Sequence, residues 1–179
     1  MTDTKHHTNE PQRVVLEEAL EHNAVDHTIV DVDEPCQQLV LFRLAGQRFA
    51  LPGKAVKEIL SGDQPVYFVP GLPPSTEGVI HLRGKVESLI TLQPLLGLPT
   101  SDQRGMILLV SAGGIRSGVR IEHLDDVCDV PLSSLKPAPE TLPSELRPYV
   151  SALWQPDEST ATALLDADAL FSAYQQGLG

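Results

Sequence analysis

The chain has 179 residues and a formal net charge of −11 at pH 7, which suits one globular unit with a tail. The acidic balance and the lack of a basic stripe argue against nucleic acid as a partner, because phosphate binding depends on clustered Lys and Arg. The sequence contains no apolar run long enough to span a membrane and no signal-peptide core, so we expect a cytoplasmic protein that does not insert into a membrane.

Residues 1–38 are predicted to form an acidic, partly disordered tail. They hold nine acidic residues against two basic ones, and their aliphatic residues cluster between Val14 and Leu20. The spacing of this cluster indicates a short amphipathic helix, with acids early, where the helix dipole favours them. The helix would either rest on the domain that follows or dock on a partner. The first alternative is favoured, because isolated short helices are marginal in water.

Short strands are predicted from Leu39 onwards. Brief apolar runs alternate there with Gly, Pro and Asp, and 15 prolines restrict long helices to the tail and the C-terminus. Strands this short at this spacing favour small barrels or a sandwich. The predicted strands cover Leu39–Leu44, Arg48–Leu51, Val66–Val69, Val79–Leu82, Val86–Leu92, Met106–Val110, Ile115–Ile121 and Ala163–Leu165.

The strand over residues 115–121 has a two-residue period. Its apolar side chains alternate with Arg116, Gly118, Arg120 and, just after the strand, Glu122. This alternation predicts that the second set faces solvent.

The β-rich stretch repeats at a constant offset of 68 residues. The aligned pairs are Leu39–Phe42 with Ile107–Val110, Gly46 with Gly114, Val56 with Leu124, and Ile59 with Val127. The repeat predicts two related β-subdomains, at about 39–104 and 105–165, that meet at a seam.

A helix is predicted after the last strand, with Asp166 as its N-cap and Gly177 as its C-terminal stop. Leu170, Phe171 and Tyr174 recur at helical spacing, so we expect them to pack against a barrel.

The sequence predicts no catalytic residues, no metal site and no cofactor. It has no G-x-S-x-G, H-E-x-x-H or C-x-x-C motif. Gly78–Lys85 resembles a phosphate loop only faintly, because its glycines are too far apart and Val86 replaces the hydroxyl residue that would hold magnesium. The six histidines are expected to be solvated or hydrogen-bonded rather than metal ligands. Cys36 and Cys128 are expected to be reduced.

Three stretches together resemble the CheW-like domain family. The most specific is Gly78–Gly84, which reads GVIHLRG where the family pattern is G-V-I-N-L-R-G. The first stretch, Leu39–Leu60, has an apolar strand, a glycine turn and a second strand ending in Ala-Leu-Pro. The third, Gly118–Pro139, ends in a segment similar to the family's L-x-P-A-P. The resemblance covers about residues 38–175 and leaves the tail outside.

The resemblance implies an all-β fold of two SH3-like five-stranded barrels with short helices, a C-terminal helix and a hydrophobic groove between the barrels. It implies no catalytic activity. The implied role is a scaffold that links the CheW-like regulatory domain of a CheA-type histidine kinase to the cytoplasmic tip of chemoreceptors.

The resemblance also implies a partner-binding site. Glu58 and Arg83 correspond to the family's acidic and basic pair, and Val56, Ile59 and Gly78 fall where kinase or receptor contacts are placed. An alternative stays open for three of these residues, since Val56 and Ile59 could be plain core and Gly78 a turn glycine with positive φ.

The chain departs from the family pattern at several positions. His81 replaces Asn, Thr91-Leu92-Gln93 stands where the family has Asp-Leu-Arg, and Arg120 interrupts an apolar strand. An altered surface suggests altered partners, so the array could serve chemotaxis or a related twitching or surface-sensing pathway. The main alternative function is a divergent protein-binding module outside arrays, recruited through its acidic tail. A third is a small-molecule sensor or enzyme that uses the seam.

Overall fold

The computed structural model describes residues 34–158 and 160–177, so the predicted helix between Val14 and Leu20 lies outside the described residues. Twelve strands and two α-helices make up most of the regular structure of this part of the chain, with short 3₁₀ turns at Gly53–Ala55, Leu132–Ser134 and Arg147–Tyr149. The strands are β1 Cys36–Leu44, β2 Gln47–Pro52, β3 Val56–Ser61, β4 Val66–Tyr67, β5 Thr76–Leu82, β6 Lys85–Thr91, β7 Met106–Ala112, β8 Ile115–Ile121, β9 His123–Pro131, β10 Leu135–Pro137, β11 Val150–Trp154 and β12 Thr162–Leu165. The helices are α1 Gln93–Leu96 and α2 Ala167–Gln175.

The strands form two six-stranded sheets. Sheet A has the order β10-β11-β12-β2-β1-β9, and sheet B has the order β4-β5-β6-β8-β7-β3. Two neighbouring pairs are parallel, β12 with β2 and β6 with β8, and the others are antiparallel. The predicted all-β class is confirmed, and each sheet contains six strands where five were expected.

The repeat seen in the sequence extends over all twelve strands. If β1–β6 are matched in order with β7–β12, the order of sheet A becomes the order of sheet B. Each sheet nevertheless contains strands of both repeats, because the first hairpin of each repeat lies in the sheet that holds the other repeat's last four strands. The boundary near residue 104 therefore separates repeats but not sheets, and as a domain boundary it stays a prediction.

The central strands bury both of their faces, which explains their continuous apolar runs. In β1, Val40, Phe42 and Leu44 belong to a large core that contains side chains of both sheets and both helices. Leu39 and Leu41 belong to a smaller cluster formed by sheet A alone. Sheet B has a similar small cluster of its own. The large shared core is therefore what joins the two sheets.

Two predictions about strands are wrong. The set of β8 residues predicted to face solvent includes Gly118 and Arg120, but both are buried. They are buried because β8 lies between two neighbouring strands and the guanidinium of Arg120 has acceptors inside the fold. The strand predicted for Val66–Val69 ends at Tyr67, and Phe68 is 80% exposed. Prolines on both sides of this run keep it short.

The C-terminal helix follows its prediction. The carboxylate of Asp166 accepts a hydrogen bond from the backbone N–H of Ala169 at 3.0 Å, as an N-cap does. Leu170 and Phe171 are buried in the shared core, while Tyr174 contacts the hydroxyl of Thr76. No helix of the described residues is long and apolar enough to cross a membrane.

Candidate functional site

Arg83 lies at the tip of the β5–β6 hairpin. Arg83 and Gly84 form a two-residue turn with φ angles of 49° and 78°, both in the left-handed region. A turn of this kind matches the twist of the strands, but it normally carries Asn, Asp or Gly. An arginine at this position holds a cation at the hairpin tip at some conformational cost.

The guanidinium of Arg83 makes a two-pronged contact with the carboxylate of Glu58. Nη1 donates to Oε2 at 2.8 Å and Nη2 donates to Oε1 at 2.5 Å. The Arg83 side chain is 75% exposed, so this pair contributes little to stability. Its effect is geometric, because a bidentate contact fixes both side chains in one orientation.

A β-bulge in β3 sets the position of Glu58. The register with β7 shifts between Val56 and Glu58, which leaves Lys57 as the extra residue. Bulges redirect the side chains that follow them. Val56 packs against the shared core, whereas Ile59 is 37% exposed. Val56 therefore fits the alternative of a core residue, whereas Ile59 is exposed enough to contact a partner.

Gly78 lies apart from the Glu58–Arg83 pair. It sits at a second bulge, in β5, and is buried beneath β4 with a φ of 157°. A Cβ at this position would lie 2.5 Å from the carbonyl oxygen of Tyr67. Of the five predicted site residues, the structure therefore brings together only Glu58 and Arg83, because the side chain of Ile59 leaves the opposite face of β3 from that of Glu58. Their roles in binding stay predictions.

Further cations surround the Glu58–Arg83 pair. A cavity of about 290 Å³ is lined by Lys57, Glu58, Leu82, Arg83, Lys85, Leu109 and Arg116. Arg116 also pairs with the buried Glu87, and its hydrogen bond to that carboxylate raises the pKa of Arg116. Four cations against two carboxylates make this a positive region on an acidic chain. We call these lining residues the cationic surface.

A second exposed region is apolar and was missed in the sequence. It consists of Tyr67, Phe68, Val69, Leu72 and Val86, which we call the apolar patch. Val86 directly follows Lys85 of the cationic surface, so the two side chains leave opposite faces of β6. Val86 lies opposite His81, whose ring meets Tyr67 edge-on at 5.5 Å between centroids. The run of apolar residues between Pro65 and Pro70 could have indicated this patch, because a segment this short cannot bury both of its faces.

The thiol of Cys128 does not show the environment of an activated nucleophile. Burial raises the pKa of Cys128, and the nearby carboxylates of Asp126 and Asp129 raise it further. Cys36 is exposed. Within residues 34–158 and 160–177, no group of three or more His, Cys, Asp or Glu side chains is placed to hold a metal ion.

Comparisons with known proteins agree with one another. The model of the CheW-like domain family matches residues 38–175. Chemotaxis protein CheW of Bacillus subtilis (strain 168) is 28% identical over 138 residues, which cover 75% of this chain and 86% of that protein. The crystal structure of scaffolding protein TtCheW from Thermoanaerobacter tengcongensis matches with a TM-score of 0.68 at 22% identity, over 76% of this chain and 93% of that one. The structural match supports the SH3-like β fold.

Proposed function

The chain belongs to the CheW-like domain family, and from this premise we propose that it is a non-catalytic adaptor of a chemosensory array. It couples the regulatory domain of a CheA-type histidine kinase to the cytoplasmic tip of chemoreceptors, and it acts in the cytoplasm. The observation that carries this proposal is the family match over residues 38–175, which includes almost all of the described strands. The names of the relatives, a chemotaxis protein and a scaffolding protein, support it.

The proposed contact region combines the cationic surface with the apolar patch. Protein interfaces are typically anchored by exposed aromatic and aliphatic side chains and bordered by charged ones. Phe68 and Tyr67 supply such anchors, and Arg83, held by Glu58, supplies an oriented charge at the tip of the hairpin that β4 borders. Both groups are carried by sheet B, on its two faces, so a partner that contacts the edge of this hairpin can reach both.

The test is titration calorimetry of the full chain with the kinase regulatory domain, and separately with a receptor tip, from the same organism. We expect micromolar binding, in the range of a weak, transient assembly. The variant Arg83→Asn should weaken the binding of at least one partner by about tenfold, because it removes the oriented charge and its pair. Asn tolerates the left-handed turn, so the thermal stability of this variant should be unchanged or slightly higher.

Arg43→Asn is the matched control. Arg43 also contacts a carboxylate at the surface, since its Nε donates to both oxygens of Asp125, but it lies in sheet A. Its loss should leave binding unchanged. If Arg43→Asn and Arg83→Asn weaken binding equally, the proposed surface is wrong.

If the folded chain binds neither partner, the adaptor proposal fails and the module recruited through the acidic tail becomes the better account. Deletion of residues 1–34, which stops before β1, would then abolish the binding of whatever partner is found. The adaptor proposal expects this deletion to leave kinase and receptor binding intact.

A further inference from the structure

A polar cavity of about 420 Å³ lies at the end of β6 and β8 that is remote from the Arg83 hairpin. Thr91 and Arg120 are paired across these two strands, and Gln93 begins α1 just after β6. The loop that leads to β7 closes one side with Asp102 and Arg104. All nine residues that line the cavity are polar or charged, which excludes an apolar ligand.

Gln93 lines this cavity, and its side-chain oxygen is a buried acceptor without a partner. Gln93 is 3% exposed, and its Oε1 has no hydrogen-bond partner. An unpaired buried amide oxygen is costly, on the order of 1–3 kcal/mol, so such groups usually meet a donor from the protein, from an ordered water or from a bound molecule.

Arg120 supplies hydrogen-bond donors to the same cavity. It is 5% exposed, and it donates from Nε and Nη2 to the carboxylate of Glu77 and from Nη1 to the carbonyl oxygen of Gly62. These bonds use three of the five N–H donors of a guanidinium. Among the residues that the structure describes, no acceptor is assigned to the other two.

The wall that carries these groups is tightly packed. A Cβ added to Gly62 would lie 1.6 Å from the carbonyl oxygen of Arg104, so Gly62 and the loop are in direct backbone contact. The backbone N–H of Thr91 donates to the carbonyl oxygen of Ser75 at 2.7 Å. The cavity is thus formed in advance rather than assembled from mobile side chains.

The charge balance of the lining selects the class of ligand. Glu77 and Arg120 already match each other's charge, and the loop adds one further charge of each sign, Asp102 and Arg104. The balance disfavours a simple anion or cation, which would leave charges of one sign unmatched. A molecule with both an ammonium and a carboxylate group matches both signs, and its ammonium supplies the donor that Gln93 lacks.

We propose that this cavity is a binding site for a small zwitterion of the free amino acid class. The carboxylate of the ligand accepts from Arg120 and Arg104, and its ammonium donates to Gln93 Oε1 and to the acidic side chains. Thr91, Gln93 and Arg120, three of the positions where the chain departs from the family pattern, all line this cavity. The proposal goes beyond the adaptor function and does not depend on it.

The test is a thermal-shift screen of the full chain with each of the twenty free amino acids, and with the N-acetyl derivative and the amide of each hit, which lack the ammonium and the carboxylate respectively. We expect one or a few amino acids to raise the melting temperature in a saturable way, because a ligand that binds only the folded state stabilises it. Calorimetry with the best amino acid then gives its dissociation constant.

Gln93→Leu is the key variant, since it removes the buried acceptor without creating an unpaired charge. It should melt at a higher temperature than the parent when empty, and its dissociation constant for the amino acid should rise by about tenfold or more. Arg104→Gln, on the exposed loop, should weaken binding without affecting the core. Gln47→Leu, at the exposed β1–β2 turn, is the matched control and should bind as the parent does.

Three outcomes would overturn the proposal. No shift with any amino acid would mean that Gln93 holds only a water molecule. An equal shift with the N-acetyl derivatives and the amides would mean that the ligand class is wrong. Binding that survives intact in Gln93→Leu would place the ligand elsewhere.

Discussion

Arg120 places a buried positive charge inside the fold, and Glu77 is the residue that neutralises it. Arg120 lies in a central strand of sheet B, and its charge is matched by a carboxylate that is 32% exposed. Removing one partner of a buried pair leaves an uncompensated charge, which typically costs roughly 3–5 kcal/mol. The partial exposure of Glu77 should reduce that cost, because water can solvate the carboxylate left behind.

We therefore predict that Arg120→Leu lowers the free energy of unfolding by about 2–3 kcal/mol, just below the range for fully buried pairs. The double variant Arg120→Leu/Glu77→Gln should lose less than the sum of the two single variants, because neither charge is then left alone. Urea unfolding of the four proteins in the cycle measures this coupling. The exposed pair supplies the control, since Arg43→Leu should cost no more than about 1 kcal/mol. An additive cycle would show that Arg120 acts by packing and not by its charge.

The sequence could not reveal this pair. The alternation of β8 predicted a solvent face, because periodicity reports polarity and not whether a neighbouring strand or loop covers that face. Glu77 reaches Arg120 from a bulge in β5, and a bulge leaves no mark in the hydrophobic pattern. The same holds for Glu58, which follows the bulge at Lys57. Its pairing with Arg83 came only from the family resemblance.

At the scale of elements, the prediction succeeded where turn chemistry is specific. The glycine-containing gaps between predicted strands, at 45–47, 83–85 and 111–114, contain the two-residue turns Ala45-Gly46, Arg83-Gly84 and Gly113-Gly114. It failed at Val66–Val69, where hydrophobicity indicates a buried strand but the strand ends at Tyr67 and Phe68 is exposed. Turns and helix caps can be predicted from sequence because they involve only neighbouring residues. Burial depends on what the rest of the molecule brings to that position.

The N-cap of α2 offers a direct test at this scale. Asp166 accepts from the N–H of Ala169, and the helix it begins buries Leu170 and Phe171 in the shared core. Asp166→Ala should lower the free energy of unfolding by about 1 kcal/mol, the usual loss of a cap. Asp166→Asn keeps an oxygen acceptor and should cost much less. Urea unfolding measures both, and equal losses would mean that Asp166 acts by its charge rather than as a cap.

At the scale of the whole molecule, the two repeats are joined by exchanged hairpins. The β1–β2 hairpin of the first repeat lies between β12 and β9 of the second, and the β7–β8 hairpin lies between β6 and β3 of the first. Residues Pro35–Gly179 form one unit, as this exchange requires. The sequence repeat predicted two related halves, but the offset of 68 residues carries no information about which half a strand pairs with. The exchange follows from long-range strand pairing, and local periodicity carries no information about which distant strands pair.

The exchange predicts how the two halves behave when they are separated. Residues 34–104 expressed alone would keep β1 and β2 without β9 and β12, which would expose Phe42, Leu44 and their share of the core. Residues 105–177 alone would keep β7 and β8 without β3 and β6. We expect neither half to show a cooperative urea transition by circular dichroism, because each has lost the strands that complete both of its sheets.

Mixing the two halves should restore a single transition, since the missing strands are then supplied by the complementary fragment. The full chain should unfold in one step, because the shared core contains side chains of both sheets. If each half unfolded cooperatively on its own, each repeat would have to close its own sheet when alone, with its first hairpin folded back beside its own last four strands. The exchange would then be a feature of the joined chain and not a requirement for folding.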